Sequence, residues 1–344
     1  MKNYYLKQRR PMRAALFIML LMTAGITKSL AQTNVATLHH GNETSAFYGL
    51  SALSQAHEAA ESGDLITLSS GIFDACEITK AVTLRGAGWM EDTLTGVQPT
   101  KIMGDFYANV IDETNSLTIE GIWFHDKFDH GSLNNPWFEK CYFEGRFGDN
   151  HYDGMMQNAN FVNCKFTDVY YNYNSTNSIM TNSLLLGSIV DADDTFTLTL
   201  NNSIVFESGG GLSTGLNVYN SIVFTSAWFG YGCTFYNSIF MTYWGIGDPF
   251  MVNCESYSCG DGALIFVDYM DPFNTYGWQD QSFILQPDFA ASFLGTDGTQ
   301  IGIYGGNAPF SRVPNYMRTR VTVASQSTED GMLNVEVEFV NEDE

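Results

Sequence analysis

The chain has 344 residues, 44% of them apolar, and 16 Lys+Arg against 38 Asp+Glu, for a net charge of −22. Six of the basic residues fall in the first 31 positions; from Gln32 onward ten basic residues face 38 acidic ones, net −28, with no Lys or Arg among the 146 residues between Lys165 and Arg312. Such a surface repels nucleic acid and offers its phosphates no partners there, and the same deficit weighs against polyuronate substrates on that stretch.

Residues 1–31 have the layout of an export signal. Lys2, Lys7, Arg9, Arg10 and Arg13 precede an apolar run at 14–26, and Ser29-Leu30-Ala31 places small residues before a cleavage site at Gln32. No Cys follows the run until Cys76, which argues against a lipoprotein anchor. No later stretch approaches the roughly 18 apolar residues of a membrane span, so an exported protein without a transmembrane segment is expected. Residues 32–45 read as a linker. Leu53, Ala56, His57 and Ala60 share one helical face and predict a capping helix within 51–62, ended by Gly63-Asp64 before a strand at 65–68.

Between residues 119 and 256 one phrase recurs eight times: apolar, any residue, turn residue, small residue, any residue, apolar. Clear copies are Leu200-Asn201-Asn202-Ser203-Ile204-Val205, Val218-Tyr219-Asn220-Ser221-Ile222-Val223 and Phe235-Tyr236-Asn237-Ser238-Ile239-Phe240. The turn position falls at Gly121, Lys140, Asn163, Asn182, Asn202, Asn220, Asn237 and Asn253, at intervals of 16 to 23 residues. One strand–turn–strand unit per period of this length specifies a stacked solenoid. A leucine-rich repeat has a similar period, but no interval here carries a helical pattern. Alternation places Cys141/Phe143, Cys164/Phe166, Ser183/Leu185, Ser221/Val223 and Ser238/Phe240 inward, so Cys141, Cys164 and Cys254 read as small buried residues. One disulfide among Cys233, Cys254 and Cys259 stays open. Asn tolerates the left-handed backbone of a sharp bend, and its stacked amides are expected to bond one another as a ladder. Leu184, Ile204, Ile222 and Ile239 form an outward column, with Leu186, Phe206, Phe224 and Met241 beside it. That column needs either a cover, from 257–316 or a terminal hairpin, or a binding partner.

Gly63-Asp64-Leu65-Ile66-Thr67-Leu68-Ser69-Ser70-Gly71-Ile72-Phe73 and Ile78-Thr79-Lys80-Ala81-Val82-Thr83-Leu84-Arg85-Gly86-Ala87-Gly88 resemble the opening coils of right-handed parallel β-helix proteins of the pectin-lyase-like superfamily. Gly302-Ile303-Tyr304-Gly305-Gly306, after Gly298-Thr299, resembles the closing part of such proteins secreted by Bacteroidetes-type bacteria. The resemblance spans residues 46–310. It implies an all-β fold, a single-stranded right-handed parallel β-helix (β-solenoid) with an N-terminal capping helix. Alternating strands on either side of Asp330-Gly331 add a C-terminal β-hairpin within 311–344. The superfamily holds lyases, hydrolases, esterases, tailspikes, adhesins and members of no known activity, so function must come from a site.

Three sets of residues are candidates. His125, Asp126, Lys127, Asp129 and His130 follow the inward Phe124, and Glu144, Arg146, Asp149, His151 and Asp153 follow the inward Phe143. Both loops leave the same corner of consecutive coils and should stack, setting His125 beside Arg146, which collects groups suited to acid–base chemistry. If the protein is an enzyme, His125, Asp126, His130, Arg146 and His151 are its catalytic candidates. Asp191, Asp193 and Asp194 have the chemistry to hold calcium, the one cofactor left open, or to act as a glycosidase pair. The Gly-His-Gly, Arg-x-Lys and Asn-Thr-Asp elements of pectinase-type hydrolases have no match. Trp228, Tyr231, Tyr236, Tyr243 and Trp244 offer rings that stack on sugars without charge. Three readings follow: an exported, non-catalytic protein binding glycan or another envelope component through its side; a polysaccharide-active enzyme at the stacked loops, on a neutral rather than a polyuronate substrate; and a structural or adhesive solenoid. With no complete lyase or glycosidase motif, the first is favoured.

Overall fold

A computed structural model describes residues 34–92, 96–112, 114–148, 154–171, 175–190, 197–207, 215–225, 233–243, 249–312, 318–323 and 335–340. The segment read as an export signal lies outside them. At every copy of the repeat the turn residue adopts left-handed backbone: φ is 46–55° at Asn163, Asn182, Asn202, Asn220, Asn237 and Asn253, 49° at Lys140 and 62° at Gly121. Each such residue carries the chain from one sheet to the next, and stacking the bends yields a right-handed parallel β-helix of about eight turns. A first sheet of 12 strands and a second of 10 run the length of the solenoid; a third, of five, lies beside its N-terminal half. Neighbouring coils pair in parallel and in register, as with Val218↔Phe235 and Val223↔Phe240.

Register turns each inward position into a column. Phe124, Phe143 and Phe166 stack with centroids 5.2 and 4.8 Å apart. Phe106, Phe128, Phe147 and Tyr170 stack at 5.2, 4.9 and 5.2 Å. These separations follow the strand spacing of about 4.8 Å. The small residues form a hydroxyl ladder. Each Ser Oγ donates to the carbonyl two residues back, as Ser203 does to Asn201 at 2.8 Å, and accepts the N–H of the small residue in the preceding coil. Cys164 N donates to Ser183, Ser183 N to Ser203, Ser203 N to Ser221 and Ser221 N to Ser238, at 2.9–3.2 Å. Cys141 and Cys164 are buried, and all six cysteines are free thiols, so no disulfide joins Cys233, Cys254 and Cys259.

The expected asparagine ladder forms in a different column. Asn135, Asn158 and Asn177, also left-handed, precede the first sheet. Asn158 Nδ2 donates to Asn135 Oδ1 at 3.0 Å and Asn177 Nδ2 to Asn158 Oδ1 at 3.4 Å. In the repeat column the amides are drawn elsewhere. Asn182 Nδ2 donates to Ile303 O at 2.8 Å and Gly305 O at 2.7 Å. Asn220 Nδ2 donates to Thr296 Oγ1 at 3.1 Å, and Asn237 Nδ2 to Leu294 O at 3.3 Å. The repeat asparagines therefore anchor a C-terminal strap, residues 259–312. The strap lays Ile265, Phe266, Trp278, Phe283, Leu285, Ile301 and Ile303 over the second sheet. Beneath it Leu184, Ile204, Ile222 and Ile239 are 0% exposed. The outward column is thus the floor of a second core, which removes it as a binding face.

The N-terminal end is capped more fully than expected. β1 (Val35–His40) and β2 (Glu43–Tyr48) form an antiparallel hairpin about Gly41-Asn42, and β1 pairs antiparallel with β3 (Leu65–Leu68). The stretch read as a linker up to residue 45 is therefore an extension of the first sheet. It covers the edge that an open solenoid would expose. Its pattern is short, with only Ala36 and Leu38 alternating inward. Helix α1 (Ala52–Ala59) buries Ala52, Leu53, Ala56 and His57. Lys80 Nζ caps its C-terminus, donating to the carbonyls of His57, Glu58 and Ala60 at 2.8–2.9 Å. Arg318–Val323 and Val335–Val340 form a separate two-stranded antiparallel sheet. Among the described residues no helix is long and apolar enough to cross a membrane.

Candidate ligand-binding site

The outward column of the second sheet continues below the strap. Register sets Lys101, Trp123, Tyr142 and Lys165 in line with Leu184, Ile204, Ile222 and Ile239. These positions immediately follow the small residue of each coil, so the sequence rule that exposed the apolar column, extended downward, reaches Trp123, Tyr142 and Lys165. The strap's cover ends at Lys165, whose Nζ donates to Gln279 O at 3.2 Å. Below it lies a window in which Lys101, Trp123, His125, Tyr142 and Glu144 are all half-buried.

The window is ordered by stacking and by one carboxylate. Trp123 and Tyr142 stack with centroids 5.4 Å apart and planes 28° off parallel. Lys101 Nζ lies 3.7 Å from the Trp123 ring centre, a cation–π contact. Trp89 packs against Tyr142, with ring centroids 5.2 Å apart. Glu144 Oε2 accepts from Trp123 Nε1 at 3.0 Å, bonds His125 Nδ1 and lies 3.9 Å from Lys101 Nζ. Tyr142 OH meets Thr167 Oγ1 at 3.2 Å, and burial raises the phenol's pKa. Two aromatic rings, a carboxylate, an imidazole and an ammonium group thus stand within three consecutive coils.

Among the described residues the two polar loops stack at one corner over 125–128 and 144–147, and the corner has a phrase of its own. Phe124-His125-Asp126-Lys127-Phe128, Phe143-Glu144-Gly145-Arg146-Phe147, Phe166-Thr167-Asp168-Val169-Tyr170 and Leu185-Leu186-Gly187-Ser188-Ile189 place Asp or Gly midway between inward residues. Glycine is needed at Gly145 because a Cβ there would stand 2.4 Å from the Asp126 carbonyl oxygen. The same register distributes the candidates. His125 meets Glu144, whereas Phe128 N donates to Arg146 O, which aligns Arg146 with Lys127 one step further round. Asp126 Oδ2 accepts from Gly104 N at 2.7 Å. Lys127 Nζ pairs with Asp129 Oδ2 at 2.5 Å on the third sheet. His130 follows on that sheet, its Nδ1 3.0 Å from Gly131 O, with its pKa lowered by burial. His125 and Glu144 therefore face the window, and His130 belongs to a different sheet. His151, Asp149 and Asp153 lie outside the described residues.

Of the aromatic candidates, Tyr236 is on the first sheet, stacked on Tyr219 at 5.0 Å. Tyr243 OH donates to Asp271 of the strap and accepts from Asn274 Nδ2 at 3.2 Å, so it fastens the cover. The two do not share a surface. Trp228, Tyr231 and Trp244 lie outside the described residues, as do Asp191, Asp193 and Asp194. Sequence reasoning missed Lys101, Trp123 and Tyr142 because it sought aromatic density rather than column position. No protein-family model matches the chain, and neither a curated protein nor a solved structure matches it.

Proposed function

We propose that this chain is an exported, non-catalytic β-helix protein that binds a glycan at the Lys101–Trp123–His125–Tyr142–Glu144 window. The observation that carries this reading is the limit of the strap: it seals the apolar part of the outward column and leaves the aromatic and charged part half-exposed. Ring edges flanked by donors and acceptors suit sugars, which present both C–H faces and hydroxyls. Export is supported by the charge and apolar pattern of residues 1–31. Membership of the pectin-lyase-like superfamily is supported by the sequence of the opening coils together with the stacked parallel fold. Catalysis is less well supported. Glu144 is committed to Trp123 and His125 with Lys101 nearby, an arrangement that fixes an acceptor rather than freeing a proton shuttle.

The test is to titrate the mature protein with neutral and acidic polysaccharides while assaying reducing ends and unsaturated products. Binding without turnover is expected, with Trp123→Ala weakening it roughly tenfold or more, the equivalent of about 1.4 kcal/mol. Turnover that disappears in His125→Ala would establish the enzyme reading instead.

A further inference from the structure

Trp89, Lys165 and Arg312 meet where the strap stops. Trp89 comes from the loop after the strand Thr83–Arg85, Lys165 from the second sheet and Arg312 from the end of the strap. In sequence, Lys165 and Arg312 bound the long stretch without Lys or Arg; in the fold they flank one indole. Lys165 Nζ is 6.0 Å and Arg312 Cζ 5.8 Å from the Trp89 ring centre. Trp89 is 4% exposed, and its indole N–H is buried without an acceptor, a costly state for a polar group. Lys165 is also buried. Burial lowers its pKa, Asp280 opposes that shift and the neighbouring Arg312 adds to it. Asp280 pairs with Lys165 at 3.7 Å, but its side chain is 83% exposed, so solvent screens it; Glu144 of the window adds a weaker attraction. Arg312 Nη1 donates to Met90 Sδ at 3.5 Å, a weak acceptor.

We propose that Trp89 Nε1, Lys165 and Arg312 form a binding site for an oxyanion, a carboxylate or sulfate group, carried by a glycan that lies in the adjoining window. An oxyanion supplies the acceptor the indole lacks and relieves the repulsion between the two cations. A guanidinium group matches its geometry with paired N–H donors. The window is contiguous, since Trp89 packs on Tyr142. Placing the sugar rests on the glycan-binding reading; the oxyanion site does not.

The test titrates the mature protein with inorganic sulfate, an oligogalacturonate, a sulfated dextran and neutral dextran, following tryptophan fluorescence and thermal midpoint. Lys165 is left intact because it also pins the strap. Sulfate and at least one charged glycan are expected to bind more tightly than neutral dextran. Arg312→Gln should weaken them roughly tenfold. Trp89→Phe, which keeps a ring but loses the N–H, should weaken them about three- to tenfold without lowering the thermal midpoint of the free protein. Preference for sulfate or carboxylate identifies the group. Glycan binding that needs Trp123 but ignores both substitutions would overturn the oxyanion site and leave the window standing. Arg312-dependent sulfate binding with no glycan bound would do the reverse. No anion bound at concentrations on the order of 10 mM would also overturn it.

Discussion

Ser183, Ser203, Ser221 and Ser238 show why the small position of the repeat is a hydroxyl rather than a methyl. Each closes a bond within its own coil and accepts one from the coil before. Ser221→Ala should leave the Ser203 N–H buried without its acceptor and cost about 1–3 kcal/mol, read as a lower midpoint in urea denaturation; an unchanged midpoint would dismiss the ladder as incidental. The small inward residue was legible in the sequence, and so was the left-handed Asn. The partners were not, because period alone does not say whether an amide bonds the next coil or another segment. His57 is a second case. Its helical face was readable, but its role depends on Thr79 N and Lys80 N, which donate to Nε2 at 3.2 and 3.3 Å. Burial, with Lys80 nearby, pushes its pKa down to about 4 from the ordinary 6.5. Between those values the unfolded chain binds a proton that the folded chain does not, so stability should fall as pH drops through 6.5 and level off below about 4. Thermal midpoints of wild type and His57→Gln across that interval should diverge, the variant showing the shallower dependence.

At the scale of elements, the strap and the asparagine rail form one device. The sequence posed the problem, a column of outward Ile and Leu, and offered a cover or a partner as solutions. It did not reveal the strap's path, because 259–312 carries no periodicity and its docking relies on backbone groups. Gly302 N donates to Asn220 O at 2.7 Å, and Thr296 N to Asn220 Oδ1 at 2.8 Å. Gly305 is the tightest point: an added Cβ would lie 1.7 Å from Gln300 O and 2.6 Å from Asn202 Nδ2. Gly305→Ala should therefore loosen the strap while the solenoid persists. Dye binding to the uncovered Ile204 and Ile222 should rise and limited proteolysis should cut within 259–312, with the far-ultraviolet β signal retained. Asn220→Gly separates the two roles of that residue, since glycine keeps the left-handed bend but loses the bonds to Thr296. A smaller effect of the same kind is expected.

At the scale of the molecule, the solenoid converts sequence distance into position. The charge pattern suggested a face hostile to anions. Folding instead brings the two residues that bound the stretch without Lys or Arg together beside Trp89, at the top of a window that also holds Lys101 and His125. Strand type, repeat and inward positions were legible because they follow from alternation. The site was only partly legible: stacking brought the two loops together but set His125 beside Arg146, whereas the register sets it beside Glu144, and the limit of the strap, which decides what remains exposed, is a tertiary fact. The central claim is that this window is where a ligand rests. Hydrogen–deuterium exchange of the protein with and without a bound glycan tests it directly. The account predicts slowed exchange within residues 101–103, 123–126 and 142–146, with the first sheet unchanged. Protection of the first-sheet strands Leu198–Asn201, Leu216–Tyr219, Thr234–Tyr236 and Phe250–Val252, with none in the window, would contradict it.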